Sequence, residues 1–111
     1  MNHNYAGASP CARGQKTGGA AELYGEAGLD FAIVDMEHGA TTEASLLPML
    51  HALSGTDCEA VVRVEEGTRL RVGRALDFGA RALMVPRVDT LEHAREIVRF
   101  VRYPPTGTRG I

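Results

Sequence analysis

Phe31-Ala32-Ile33-Val34-Asp35-Met36-Glu37-His38 opens with four consecutive apolar residues and closes on two carboxylates and an imidazole. A continuous apolar run suits a strand buried on both faces, whereas a half-buried strand alternates apolar with polar. Two further runs share this character: Ala60-Val61-Val62-Arg63-Val64 and Ala82-Leu83-Met84-Val85-Pro86. The run from Ala60 to Val64 is rich in β-branched residues, which fit a pleated sheet.

Helical patterns stand between and around these runs. Ala20 to Ala27 holds good helix formers, with Gly28 placed as a stop. Thr41 or Thr42 offers an N-cap for a helix whose apolar face is Ala44, Leu46, Leu47, Leu50 and Leu53. Pro48 interrupts that face, so the helix is expected to kink there or to begin late. A third helix is expected from about Thr68 to Phe78, ending at Gly79. The last has a capping box in Asp89 and Glu92, then an apolar face of Leu91, Ala94, Ile97, Val98 and Val101. Tyr103-Pro104-Pro105 ends it.

Apolar strands alternating with amphipathic helices argue for a parallel sheet with right-handed crossovers. The spacings between strand starts, about 30 and then about 20 residues, are ordinary for βα units. Both a doubly wound open sheet and a closed barrel fit this order. No G-x-G-x-x-G follows a strand, which weakens dinucleotide binding. A closed (β/α)8 barrel takes roughly 250 residues, and this chain has 111. The expectation is an α/β chain holding roughly the first half of a TIM (β/α)8 barrel. Residues 1–19, rich in Gly, Ala, Ser and Asn without periodicity, are expected to be a disordered or atypical leader, and 20–111 the barrel part.

Composition narrows the partners. A net charge of −2 and a pI near 6.1 give no basic face for nucleic acid. Apolar runs fall well short of the roughly 20 residues that cross a bilayer, and residues 1–19 have no signal-peptide core. A cytoplasmic location is expected. Cys11 and Cys58, far apart, are expected to be reduced thiols.

In a barrel, chemistry gathers where strands end. Asp35, Glu37 and His38 follow the first run, Arg63 lies near the end of the second, and Pro86 and Arg87 close the third. Arginine can hold a carboxylate in two-point fashion, and histidine can move a proton near neutral pH. The set suits an anionic substrate. Polar loop residues alone would also give Asp-x-x-His. Arg63 inside an apolar strand is either paired or on an edge strand with its head in solvent. Asp77 in the last turn of its helix opposes the helix dipole. Either another task holds it there, or it forms a surface pair with Arg74 or Arg81. Arg69, Arg71, Arg74, Arg81 and Arg87 read as mostly a solvated helix face. His3, His51 and His93 read as surface or structural.

Several of these segments, in order, resemble the HpcH/HpaI aldolase family. They are Gly28-Leu29-Asp30-Phe31-Ala32-Ile33-Val34-Asp35-Met36-Glu37-His38-Gly39, Val62-Arg63-Val64, Leu76-Asp77-Phe78-Gly79-Ala80, Met84-Val85-Pro86 and Arg102-Tyr103-Pro104-Pro105-Thr106-Gly107-Thr108-Arg109-Gly110. The resemblance implies a barrel of the pyruvate and phosphoenolpyruvate type that cleaves 2-keto-3-deoxy or 4-hydroxy-2-oxo acids to pyruvate and an aldehyde. It implies His38 as acid/base, Arg63 as the arginine holding the keto acid, Asp35 at the same rim, and Asp77 as the carboxylate paired with the histidine, within or across a subunit boundary. It further implies a divalent metal, Mg2+ or Mn2+, a homo-oligomer at full length, and no Schiff base. Lys16, the only lysine, lies in the expected leader. The metal ligands are expected beyond Ile111, and Glu37 is not taken as one. A first barrel strand, which the family would place before Ala20, is not legible between Tyr5 and Gly19. The alternative expectation is a non-catalytic barrel piece that acts only by association with a full-length subunit.

Overall fold

The computed structural model describes residues 18–111. Seven elements alternate through them: α1 (Gly18–Glu26), β1 (Phe31–Asp35), α2 (Glu43–Ser54), β2 (Glu59–Arg63), α3 (Arg69–Asp77), β3 (Ala82–Met84) and α4 (Leu91–Val101). Gly18 and Gly19, expected in the leader, belong to α1. The rest of that leader, with His3, Cys11 and Lys16, lies outside the described residues.

The three apolar runs form one parallel sheet in the order β1-β2-β3. Ala32 pairs with Ala60, Val34 with Val62, and Asp35 with Arg63; across the next seam Val62 faces Leu83 and Arg63 faces Met84. The sheet is open, and its alternation with helices is that expected of part of a (β/α)8 barrel. Because the strands are parallel, Asp35, Arg63 and Met84 end on one rim. Each helix returns the chain to the opposite end.

Local chemistry sets the boundaries. Gly28 and Gly79 have φ of 78° and 100°, a region that side chains with a Cβ rarely enter, and they stop α1 and α3. Thr42 is the N-cap of α2, and its N–H donates to Ser45 Oγ at 2.9 Å. Thr68 caps α3 by accepting from the Arg71 N–H. Three expectations are corrected. Helix α2 starts at Glu43 and runs through Pro48, so it does not begin late; the missing Pro48 N–H leaves only the Ala44 carbonyl without a helical donor. Its buried stripe is Leu46, Met49, Leu50 and Leu53, with Met49 in place of the partly exposed Leu47. Helix α4 is capped by Thr90, whose Oγ accepts from the His93 N–H at 3.1 Å, one residue after the expected Asp89. Glu92 then sits in the first turn, where the helix dipole favours an acid.

The core lies between the sheet and α1, α2 and α3. Val34, Val62 and Val64 meet Leu46, Met49 and Leu53, with Ala75 from α3. Helix α1 packs closely on the end of α2: a Cβ at Gly25 would come within 2.4 Å of the Thr56 side chain. Helix α4 packs along α3, yet no residue of α4 is fully buried, and Leu91 and Val98 of its apolar face are exposed.

Leu46 is fully sealed from solvent. Leu46→Ala should lower stability by about 2–5 kcal/mol, because the cavity adds to the lost transfer energy; urea unfolding curves would check it. Cys58 is a buried free thiol whose pKa is pushed up by burial first, then by the charges of Asp30 and Glu59. A raised thiol favours the neutral form, so this contribution to stability holds below the unfolded thiol's pKa and is lost at alkaline pH. Iodoacetamide at neutral pH should leave Cys58 unmodified in the folded chain and alkylate it after denaturation, read by peptide mass spectrometry.

Candidate active site

Pairing register builds the rim. Asp35 and Arg63 are opposite residues at the ends of adjacent parallel strands. Strand β2 is the middle strand of the sheet, so Arg63 is not an edge residue with its head in solvent. Its Nη1 stands 3.6 Å from Asp35 Oδ2, and its Nη2 forms an ion pair with Glu37 Oε2. Asp35 is almost completely buried at 1% exposure, and only pairing makes such a burial tolerable.

The other oxygen of Asp35 shapes the loop. Oδ1 accepts from the Glu37 N–H at 2.9 Å and the His38 N–H at 3.1 Å, so one carboxylate folds the turn that follows its own strand. The ladder continues one step further, with the Met36 N–H donating to the Arg63 carbonyl at 2.9 Å. Gly39 closes the turn so tightly that a Cβ there would lie 2.3 Å from the Asp35 carbonyl oxygen. His38 is left projecting, its side chain 64% exposed, with Nε2 3.5 Å from Glu37 Oε1. That contact is an ion pair only when the imidazole is protonated.

Asp35, His38 and Arg63 are therefore gathered at one place. Asp77 is not. It ends α3, which starts from the rim after β2 and runs about 12 Å to the other end of the sheet. Its side chain is 63% exposed and its Oδ1 accepts from Arg109 Nη2 at 3.4 Å. Neither Arg74 nor Arg81 is the partner: Arg74 Nη2 donates to Glu43 Oε2 at 2.8 Å, and Arg81 stands 3.9 Å from Glu59.

The residue undervalued from sequence is Glu37. Its side chain is 9% exposed and touches Arg63, His38 and, at 3.8 Å, Arg87. Its place between two site residues in sequence was a signal, but direction of the side chain is set by the Asp35 turn. Arg87 is solvated as expected, its side chain 74% exposed, and it also donates from Nη2 to the Glu65 carbonyl at 3.2 Å from a backbone with φ of 52°. A positive φ in a residue with a Cβ is uncommon and collects at functional sites. Arg69 donates to the Thr108 carbonyl, so it is structural too. His93 Nε2 lies 3.3 Å from the Gly67 carbonyl, and His51 stays on the surface.

A divalent metal does not fit the donors present. Asp35 and Glu37 are committed to Arg63 and to backbone N–H groups, and among the described residues no group of three or more His, Cys, Asp or Glu could hold a metal ion. Among those residues, too, no helix is long and apolar enough to cross a membrane.

Residues 16–111 match the HpcH/HpaI aldolase/citrate lyase family, and the chain belongs to it. Among particular relatives, it is 44% identical over 92 residues to the hydroxypyruvate/pyruvate aldolase of Delftia acidovorans, covering 83% of this chain and 34% of that protein. It is 43% identical over 91 residues to the 2-keto-3-deoxy-L-rhamnonate aldolase of Klebsiella pneumoniae, covering 82% of this chain and 34% of that one. In structure it is similar to an HpcH/HpaI aldolase/citrate lyase family protein from Burkholderia cenocepacia, with a TM-score of 0.81, 36% identity, and coverage of 89% of this chain and 42% of the other. The chain thus spans about a third of the length of the curated relatives it matches.

Glu43 ties the start of α2 to α3 near this rim, with Arg74 at 2.8 Å and Arg71 at 3.4 Å. Its pKa is lowered, first by the hydrogen bond from Arg74 and further by the charges of Arg74 and Arg71, against an opposing effect of desolvation. A depressed carboxylate stabilises above its unfolded pKa and loses that contribution as pH falls through the folded one. Glu43→Gln should lower Tm at pH 7, and the difference from wild type should shrink as pH falls through the lowered folded pKa and the wild-type carboxylate is protonated as well.

Proposed function

We propose that this chain contributes the substrate-holding and proton-moving half of an aldolase site, in a carbon–carbon lyase that cleaves 2-keto-3-deoxy or 4-hydroxy-2-oxo acids to pyruvate and an aldehyde. The observation that carries this is the Asp35–Arg63–Glu37–His38 cluster on the strand rim, in a chain of this family. A guanidinium held by two carboxylates is fixed in plane and aim before substrate arrives, and it keeps donors for a carboxylate or keto oxygen. An exposed imidazole beside it can take the proton of the substrate's 4-hydroxyl as the C3–C4 bond breaks. The electron pair of that bond passes to the keto acid portion, the aldehyde departs, and a proton returned to C3 gives pyruvate. Arg63 stabilises the negative charge that grows on the keto oxygen.

In this reading Asp35 is the fixed post of the site, and Asp77 acts on His38 of a second copy. Support for the second point is geometric: Asp77 ends on the far side of its own sheet and points into solvent. The active protein is accordingly a homo-oligomer. It works in the cytoplasm on small 2-oxo acids and aldehydes. The family resemblance calls for a divalent metal, magnesium or manganese, which would polarise the keto oxygen. Among the described residues no group of side chains supplies its ligands.

His38→Ala in the full-length polypeptide should cut pyruvate release by about 10²–10⁴-fold in kcat, the usual worth of a positioned acid/base group. Arg63→Ala should cost about 10²–10³-fold and raise KM for the oxo acid. Coupled assay of pyruvate would measure both. Wild-type rates in either variant would remove that residue from the site.

A second reading is favoured by one observation, the exposed apolar face of α4 with Leu91 and Val98. In it the 111-residue chain is not catalytic and associates with a full-length subunit. Sedimentation velocity should then show the isolated chain as more than a monomer, whereas a sharp monomer boundary would count against it.

A further inference from the structure

The segment Arg102–Gly110 matches the family pattern, yet no step of the reaction uses it. Its geometry is built around one side chain. The Gly107 N–H donates to the Tyr103 carbonyl, the Thr108 N–H to Arg99 at 2.8 Å, and the Arg109 N–H to Arg102 at 2.9 Å. These bonds fold the segment back onto the end of α4. Gly107 is required there, because a Cβ would lie 2.2 Å from the Arg102 carbonyl oxygen. From α3, Arg69 Nε donates to the Thr108 carbonyl at 3.0 Å and ties the segment across to that helix. Arg109 is delivered by this fold to the end of α3, 32 residues away in sequence.

Arg109 is held there on its own account. Its side chain is 18% exposed, and its guanidinium carbon lies 4.8 Å from the centre of the Tyr103 ring. Nε is buried without a hydrogen-bond partner, so the forward donors are the ones in use. Nη2 points to Asp77 Oδ1. The pair lines an open groove of about 380 Å3, with Arg69, Gly73 and Phe100 along its walls. Arg74, the other cation near Asp77, is committed to Glu43 and lies over Phe78. The restraint falls on one end of one carboxylate, while the rest of Asp77 stays exposed.

We infer that Arg109 is a positioning residue: stacked on Tyr103 and anchored by the 102–110 turn, it holds the Asp77 carboxylate in the orientation that meets the histidine of a second copy. This rests on the reading of Asp77 given above. A carboxylate that must reach across a boundary gains from being fixed beforehand, since small misplacements of a supporting group cost large factors in rate. An arginine fixed by stacking does this without occupying both carboxylate oxygens.

The test is a double-mutant cycle in the active full-length enzyme, with pyruvate release and thermal melting both measured. Arg109→Met should lower kcat by about 10–100-fold with KM for the oxo acid changed less than about twofold. Arg109→Lys, which keeps the cation without the planar stack, should recover part of that loss. Asp77→Asn should also lower kcat, and adding Arg109→Met to it should cost less than about twofold more, because the two act as a unit. A merely structural Arg109 would lower kcat by the same factor in both backgrounds and would track the loss of Tm; that result overturns the proposal, as does a wild-type kcat in Arg109→Met. Should Arg109→Met fail to fold, the same cycle run with Arg109→Lys decides the matter by the same criterion. A wild-type kcat in Asp77→Asn would instead overturn the reading of Asp77 itself, and this inference with it. Failure confined to the Arg109 variants leaves that reading standing.

Discussion

Asp35 carries a negative charge to a place that water barely reaches, and the surrounding structure follows from keeping it satisfied there. Leaving such a group unpaired would cost several kcal/mol, so the carboxylate needs donors and a counter-charge; Oδ2 has no hydrogen-bond partner and rests on the Arg63 charge at 3.6 Å. One oxygen takes two backbone N–H groups of the following turn, and the other faces Arg63. The first commitment fixes the path from β1 to Gly39 and hence the point from which His38 projects. The second commits the register, because Asp35 and Arg63 are opposed only when β1 and β2 pair as they do. A slip of one residue would send Arg63 to the other face. Sheet register and site geometry are thus one constraint seen from two sides.

Glu37 completes this arrangement from the same turn. With Asp35 it surrounds the Arg63 guanidinium, and with Arg87 and His38 it makes a chain of alternating charge along the rim. Arginine offers five donors in a rigid plane, so two carboxylates on one edge hold it without exhausting it. The local balance is close to neutral before any substrate enters. Arg63 is thus a cation whose orientation is set within the rim itself.

Much of this was legible in the sequence where the signal is local. The three strands are short apolar runs, and burial on both faces leaves no ambiguity with alternating patterns. Gly28 and Gly79 mark helix ends because the backbone there turns into a region that other residues avoid. Asp35, His38 and Arg63 stand at strand ends, so the parallel arrangement alone gathers them. What was not legible depends on directions or on distant partners. Asp89 and Thr90 both cap well, and only the start of the helix at Leu91 separates them. Pro48 removes one helical donor but does not stop α2, since the stripe of Leu46, Met49, Leu50 and Leu53 outweighs it. The partner of Asp77 is 32 residues away, beyond any reading by helical spacing.

The two ends of the sheet show how one short stretch of barrel divides its work. At the rim, pairing is dense and interior: a buried carboxylate, a half-buried guanidinium and a nearly buried Glu37 are mutually fixed, while the imidazole and Arg87 meet solvent. At the opposite end the order is reversed. There the arginine is sheltered and the carboxylate is exposed, with Arg109 behind Asp77 and open groove in front. Parallel strands place a strand rim and the end of the helix that follows it at opposite ends of the βα unit, so Asp77 and His38 stand at opposite ends of this sheet. Topology, more than separation along the chain, keeps Asp77 apart from His38 within this sheet.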